Sequence, residues 1–248
     1  MSKNSLTNKV VLVTGAAHRV GAAIVRHLHA KGARIVLHYR RSADAAQKLS
    51  DELCALRPES CICLSADLDN FAEYESLIDR AVSHWGQLDV LVNNASAFFP
   101  TPIGFVDLDQ WDALMNSNVR APFFLSQQAA AALRSSGGCI VNLVDIHADR
   151  PLKDYPVYSM AKAALVMMTK SLARELGPDI RVNAVAPGAI LWPEEMGVEV
   201  QGDILDRTAL KRSGEPLDIA RAVSYLVQEA TYTTGQVLVV DGGRNLAQ

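Results

Sequence analysis

The chain has 248 residues, 49% of them hydrophobic and 21% charged, with a formal net charge of −3. That balance is ordinary for a globular protein with a full core, and the near-neutral charge, without long runs of one sign, argues against broad attraction to nucleic acid or an anionic membrane. No apolar run approaches the roughly 18–20 residues a membrane helix needs, and the polar start MSKNSLTNK is too short for a signal peptide before the apolar run 10–13.

Short β-branched runs predict strands at 10–14, 33–38, 60–65, 88–92, 139–144, 181–185 and 237–240. Helical patterns fill the gaps at 19–31, 43–56, 72–85, 109–134, 155–175 and 217–228. Glycines punctuate their ends, at Gly32, Gly86, Gly137 with Gly138, and Gly177. Strands apolar on both faces belong to a parallel sheet covered by helices. The expected fold is α/β: a single doubly wound Rossmann domain over 1–248, with a seven-stranded parallel sheet and helices on both faces. The stretch 189–212 breaks the alternation. It carries Trp192, Pro193, Glu194 and Glu195 and reads as a lid over a ligand.

The four cysteines, Cys54, Cys61, Cys63 and Cys139, lack metal-ligand spacing and have no histidines clustered with them. They are expected to be structural thiols, with no metal site. Free thiols without a secretory signal fit a reducing, cytoplasmic setting.

The run VLVTGAAHRVGAAI is a strand, a tight turn and a helix start. Gly15 gives the turn its backbone freedom, Gly21 allows close helix packing, and the helix N-terminal amides around Val20 face an anion, typically a pyrophosphate. Arg19 stands where a middle glycine is usual, and a guanidinium there binds phosphate or reaches to the substrate. The second strand runs out through His38, Tyr39, Arg40, Arg41 and Ser42 with no acid to hold a ribose 2′-hydroxyl. Arginines and a serine favour a 2′-phosphate, so NADPH is expected over NADH. Asp67, followed by Leu68, is placed to accept from an adenine amino group. Asn93, Asn94, Ala95 and Ser96 close the fourth strand near a flat ligand.

Tyr158 and Lys162 are four apart in a helix pattern, on one face and about 40° out of line. An ammonium beside a phenol is expected to lower the tyrosine pKa and make it a proton donor near neutral pH. Asp145, thirteen residues before the tyrosine, adds a carboxyl group to share that proton.

Five motifs in order resemble the short-chain dehydrogenase/reductase superfamily: Thr14-Gly15 with Gly21, Asn93-Asn94-Ala95, Tyr158-x-x-x-Lys162, NAVAPG from Asn183 to Gly188, and Asp241-Gly242-Gly243. The resemblance covers nearly the whole chain and implies a nicotinamide cofactor. It implies that Asn118 helps hold the lysine through water and that Lys162 reaches the nicotinamide ribose. It also places Pro187 and Gly188 beside the cofactor. The superfamily's usual serine, thirteen residues before the tyrosine, is replaced here by Asp145. That replacement is similar to the pteridine reductases, as are TGAAHRVG, the run from His38 to Ser42, NASAFFPTP, and Pro151-Leu152 ahead of YPVYSMAK.

The resemblance implies a pterin or folate substrate, of the dihydrobiopterin or dihydrofolate kind, and assembly as a homotetramer through the helices at 109–134 and 155–175. Phe98 is the expected stacking face for a flat ring. Arg19, Ser96, Asp145, Tyr158 and Trp192 are the other expected substrate contacts. Tyr158 would deliver a proton to a ring nitrogen, Lys162 would tune it, and Asp145 would donate or relay a proton. Two other readings stand beside this one. One is a carbonyl or 3-oxoacyl reductase of the same superfamily. The other is a non-catalytic NADPH-binding sensor.

Overall fold

The computed structural model describes residues 6–192 and 197–246. Seven strands form one parallel sheet in the order β3-β2-β1-β4-β5-β6-β7. They are β1 (Val10–Val13), β2 (Arg34–Tyr39), β3 (Cys61–Ser65), β4 (Val90–Asn93), β5 (Cys139–Leu143), β6 (Arg181–Pro187) and β7 (Val237–Val240). The chain builds outward from β1 to β3, then returns to place β4 on the other side of β1. That reversal opens a crevice at the carboxyl ends of β1 and β4, where ligands bind in sheets of this kind.

Burial on both faces explains the apolar strands. Val11 and Val13 enter one core layer with Ile24, Val25 and Leu28 of α1 (Arg19–Ala30), Leu49 and Leu53 of α2 (Ala43–Leu56), and Ile219 and Val223 of the C-terminal helix (Pro216–Gln228). Val10 and Leu12 enter the opposite layer with Leu77 and Ile78 of α3 (Glu73–Trp85) and with Leu125, Ala129 and Leu133. Each fully buried Val, Leu or Ile contributes about 1.5–3 kcal/mol relative to exposure.

The single helix predicted at 109–134 is three joined pieces. The first is α4 (Leu108–Met115), started by a capping box in which Gln110 N donates to Asp107 Oδ1 at 2.8 Å. A π-helical segment, Asn116–Arg120, joins it to α5 (Ala121–Ser136). Next come α6 (Pro156–Leu176), α7 (Val198–Asp206) and α8, the C-terminal helix named above. α7 lies inside the stretch 189–212 that the sequence pattern left irregular, and it buries no residue. Pro193, Glu194 and Glu195 lie outside the described residues. No helix among the described residues is long and apolar enough to cross a membrane.

Candidate active site

The turn after β1 is built by close approach. Gly15 has φ +60, and a Cβ there would sit 2.9 Å from the Ala95 Cα. A Cβ on Gly21 would sit 2.5 Å from the Gly15 carbonyl oxygen, so the first turn of α1 is pressed against the loop. Asn94 Nδ2 donates to the carbonyls of Thr14 and Gly15 at 2.8 and 3.0 Å, tying the end of β4 to the turn.

His38 holds the turn from beneath. Its Nδ1 accepts from the Gly15 amide at 3.1 Å, and its Nε2 faces the Ala66 carbonyl at 3.1 Å. Burial pushes its pKa down to about 4, so the ring is neutral and its Nε2 proton goes to Ala66. Both ring nitrogens are committed to the protein. The imidazole shapes the nucleotide end and does not project into it.

The other residues expected there are more open. Arg19 is exposed, with φ +53, at the mouth of α1, and Val20 beside it is partly buried. Tyr39 packs partly against the core. Arg40 pairs with Asp69 at 2.8 Å and with Asp67 at 3.6 Å, while Arg41 is exposed and Ser42 stands at the N-cap of α2. The Asp67 amide donates to Glu73 Oε2 at 2.8 Å, and Leu68 is buried. Gly188 follows Pro187 at the end of β6, and a Cβ there would meet Asp241 Cβ at 2.6 Å.

At the far end of the crevice β5 delivers Asp145 and α6 delivers Tyr158 and Lys162. The Tyr158 hydroxyl donates to Asp145 Oδ2 at 2.8 Å, and Asp145 Oδ1 accepts from the His147 amide at 2.8 Å. Lys162 Nζ donates to the Leu143 carbonyl at 2.9 Å and lies 5.6 Å from the Tyr158 ring centroid. The three residues come together as the spacing predicts.

The direction of the tyrosine shift is opposite to the sequence expectation. Burial first, then the Asp145 charge and hydrogen bond, raise the Tyr158 pKa well above its ordinary value. The lysine lies against the ring, and the carboxylate holds the hydroxyl. Burial lowers the Lys162 pKa to about 8, partly offset by Asp145. Asn118, fully buried in the π-helical segment, uses its side chain elsewhere. Its Nδ2 donates to Ala97 O and Leu114 O, both at 3.0 Å, and its Oδ1 accepts from Ser96 Oγ at 2.7 Å.

Phe98 leans on the same tyrosine. It makes an edge contact with Tyr158, ring centroids 4.8 Å apart, and stacks on Tyr155 at 4.6 Å with an interplanar angle of 16°. It remains 48% exposed, so one face is open to a ligand, whereas Phe99 packs against a small cluster with Leu114 and Val157. Trp192 is partly buried at the edge of the described stretch.

Residues 15–245 match the family model described as enoyl-(acyl carrier protein) reductase. The chain is 38% identical to pteridine reductase 1 of Leishmania tarentolae, over 98% of this chain and 99% of that protein. It is 34% identical to a 3-oxoacyl-acyl-carrier-protein reductase of Staphylococcus epidermidis, over 95% and 98%. A solved double mutant of a Serratia marcescens short-chain dehydrogenase/reductase superposes with a TM-score of 0.91 at 35% identity, covering 97% of this chain and 99% of that one. The chain belongs to the short-chain dehydrogenase/reductase superfamily.

This short-chain reductase is therefore NAD(P)-dependent, and its residues fit a nicotinamide dinucleotide. Added Cβ atoms at Gly15, Gly21 and Gly188 would strike their neighbours, so the turns at the crevice are as shallow as backbone allows. The amides at the start of α1 have no side-chain cap, which leaves them for an anion.

Two residues near the site are missed by the sequence expectations. Tyr155 opens the run YPVYSMAK but is assigned no role there, yet it backs Phe98. Arg244, two residues beyond the C-terminal glycine turn's first glycine, is brought beside the Asp145 loop: Arg150 Nη1 donates to the Arg244 and Asn245 carbonyls at 3.4 and 3.0 Å. Only the packing of the C-terminus against the loop after β5 reveals it.

Proposed function

We propose that this short-chain reductase is an NADPH-dependent pteridine reductase. The observation that carries the reading is the hydrogen bond from the Tyr158 hydroxyl to a carboxylate, Asp145, where the superfamily's usual serine would stand. When bound, NADPH supplies the hydride that reduces a ring C=N bond at carbon. The protein supplies the matching proton at nitrogen. Tyr158 gives its proton to the ring nitrogen while its oxygen takes another that the Asp145 carboxylate has first picked up from solvent. The relay suits the raised Tyr158 pKa, because no phenolate has to persist beside a carboxylate. Lys162, charged below about pH 8, holds the ribose end and opposes negative charge at the tyrosine.

Phe98 supports a flat heteroaromatic substrate: its open face is fixed in orientation by Tyr155 behind it. Offset stacking on such a face adds about 0.5–1.5 kcal/mol beyond burial. Ser96, Arg19 and Trp192 would supply the other substrate contacts. Arg41 and Ser42 favour a 2′-phosphate, which would also draw Arg40 from its exposed pairs with Asp67 and Asp69, since such pairs are worth at most about 1 kcal/mol.

The 3-oxoacyl reading keeps some support from the 34% identical S. epidermidis relative. NADPH oxidation followed with dihydrobiopterin, dihydrofolate and an acetoacetyl thioester separates the two. Turnover of both pterins is expected, and turnover of the thioester alone would sink the pterin reading. Cofactor binding with no turnover would favour a sensor.

Assembly as a cytoplasmic homotetramer is part of the same proposal. Its support is the apolar surface of α4, α5 and α6, where Leu108, Trp111, Phe123, Met160 and Met167 are all exposed.

A further inference from the structure

We propose that a buried hydrogen bond between Asn142 and Thr169 sets the register of α6 against β5, and so positions Tyr158 on Asp145 for proton delivery. This rests on Tyr158 and Asp145 as the reacting pair but not on a pterin as the substrate.

Four buried polar side chains, Asn93, Ser126, Asn142 and Thr169, link two strands and two helices in the core. The Thr169 hydroxyl donates to the Leu165 carbonyl at 2.8 Å, so its oxygen accepts from Asn142 Nδ2 at 2.9 Å. Asn142 Oδ1 in turn accepts from Asn93 Nδ2 at 2.8 Å. Asn93 Nδ2 also reaches Ser126 Oγ at 3.4 Å, and the Ser126 hydroxyl donates to the Pro122 carbonyl at 2.6 Å. Each hydroxyl proton goes to a carbonyl, which fixes the direction of every bond and the orientation of both amides.

The chain is costly for the stability it gives. Asn93 Oδ1 is buried with no hydrogen-bond partner, and apolar residues of the same shape would fill the core without that cost. What apolar residues lack is a fixed register. Leu165 and Met168 of α6 pack with Val144, Ile146, Ala184 and Ala186, and such packing is non-directional. Lys162 reaches the Leu143 carbonyl on a flexible four-carbon stem that can follow a sliding helix. Thr169 is β-branched and stiff, and the Asn142 side chain is short, so their bond holds at one setting only.

That setting is the one the site needs. Tyr158 and Lys162 come eleven and seven residues before Thr169, each within about 20° of it around the helix. The three side chains share one face, against Asp145, the Leu143 carbonyl and Asn142 in one short stretch of chain. Thr169 lies roughly 16 Å along the helix from Tyr158, too far to touch a group bound at the tyrosine, so it acts through position alone. Asp145 cannot follow a slipped helix, because its other oxygen is held by the His147 amide. A slip of about 1 Å, less than the rise of one residue, would stretch the 2.8 Å bond from the tyrosine beyond hydrogen-bonding length.

Kinetics on the full-length protein test the idea, with whichever compound of the substrate panel above the wild type reduces, so that failure of the pterin reading is seen separately. Thr169→Val keeps the volume and removes the hydroxyl. It should lower kcat about tenfold or more, as an ångström-scale misplacement of a reacting group does, with KM and NADPH affinity little changed. Thr169→Ser keeps the hydroxyl and should restore most of the rate. Ser126→Ala cuts the far end of the same chain and should leave kcat as it is. The double variant Asn142→Leu with Thr169→Val replaces both partners by apolar groups, which keeps it folded if the single variant is not, and it should be as slow. Wild-type kcat in either variant that lacks the Thr169 hydroxyl overturns the proposal. So does a loss that Thr169→Ser fails to restore or that Ser126→Ala reproduces.

Discussion

The Tyr158 hydroxyl donates to Asp145 Oδ2 at 2.8 Å, joining the phenol of α6 to the carboxylate that follows β5. The other Asp145 oxygen is fixed by the His147 amide, so the carboxylate presents one oxygen to the tyrosine and cannot easily rotate away. A serine at this position would offer only a hydrogen bond. A carboxyl group can carry a whole proton, which a nitrogen acceptor needs.

Asp145→Ser is therefore expected to lower kcat for dihydrobiopterin by about 100-fold or more, within the usual range for losing a positioned proton donor. NADPH affinity should persist, because the glycine turn and the arginines after β2 lie at the other end of the crevice. The same variant should lower the Tyr158 pKa, since Asp145 contributes to its rise through both charge and hydrogen bond. Steady-state kinetics with fluorescence titration of NADPH checks the first two. Unchanged turnover would take Asp145 out of the mechanism.

Much of this was legible in the sequence. Strands such as Val10–Val13, apolar at every position, announce a sheet covered on both faces, whereas the point of reversal, between β3 and β4, is set by packing that the alternation of strand and helix does not encode. What escaped has physical causes. α7 has only nine residues and buries none of them, so it is too short and too exposed to stand out in an irregular stretch. The direction of the Tyr158 shift depends on burial and on which group touches the hydroxyl, and a four-residue spacing encodes neither. His38 reads as the start of a phosphate clamp because it adjoins Arg40 and Arg41, yet strand alternation turns it inward beneath Gly15. The turn at Arg244 meets Arg150, in the loop after Asp145, across 94 residues of sequence, a contact that only the sheet order creates.

His38 makes the nucleotide end sensitive to acid. Its folded pKa of about 4 lies below the ordinary 6.5, so the unfolded chain binds more protons between those values. Stability is full above about pH 6.5 and falls as pH drops toward 4, by on the order of 3 kcal/mol from this group. Protonation would also set an N–H against the Gly15 amide that Nδ1 now accepts. Urea denaturation across this range should show the loss, and His38→Asn should show a shallower pH slope with weaker NADPH binding at pH 7. An identical slope in the variant would mean that other groups carry the acid sensitivity.

Arg40 and Arg41 are neighbours in sequence but differ in what they are free to do. Arg40 is paired with Asp67 and Asp69, and Arg41 is exposed beside the N-terminus of α2. If Arg41 meets a 2′-phosphate, Arg41→Ala removes a charge-assisted contact of about 1.5–3 kcal/mol and weakens NADPH by roughly tenfold or more. NADH, which lacks that phosphate, should lose little. Arg40→Ala should cost NADPH less, because binding there must first displace two aspartates. It should also leave Asp67 and Asp69 unneutralised near the phosphate, so part of its cost would vanish at high salt. Dissociation constants for both cofactors at two ionic strengths decide the matter. Equal losses of NADPH and NADH in Arg41→Ala would show that the arginine does not read the phosphate.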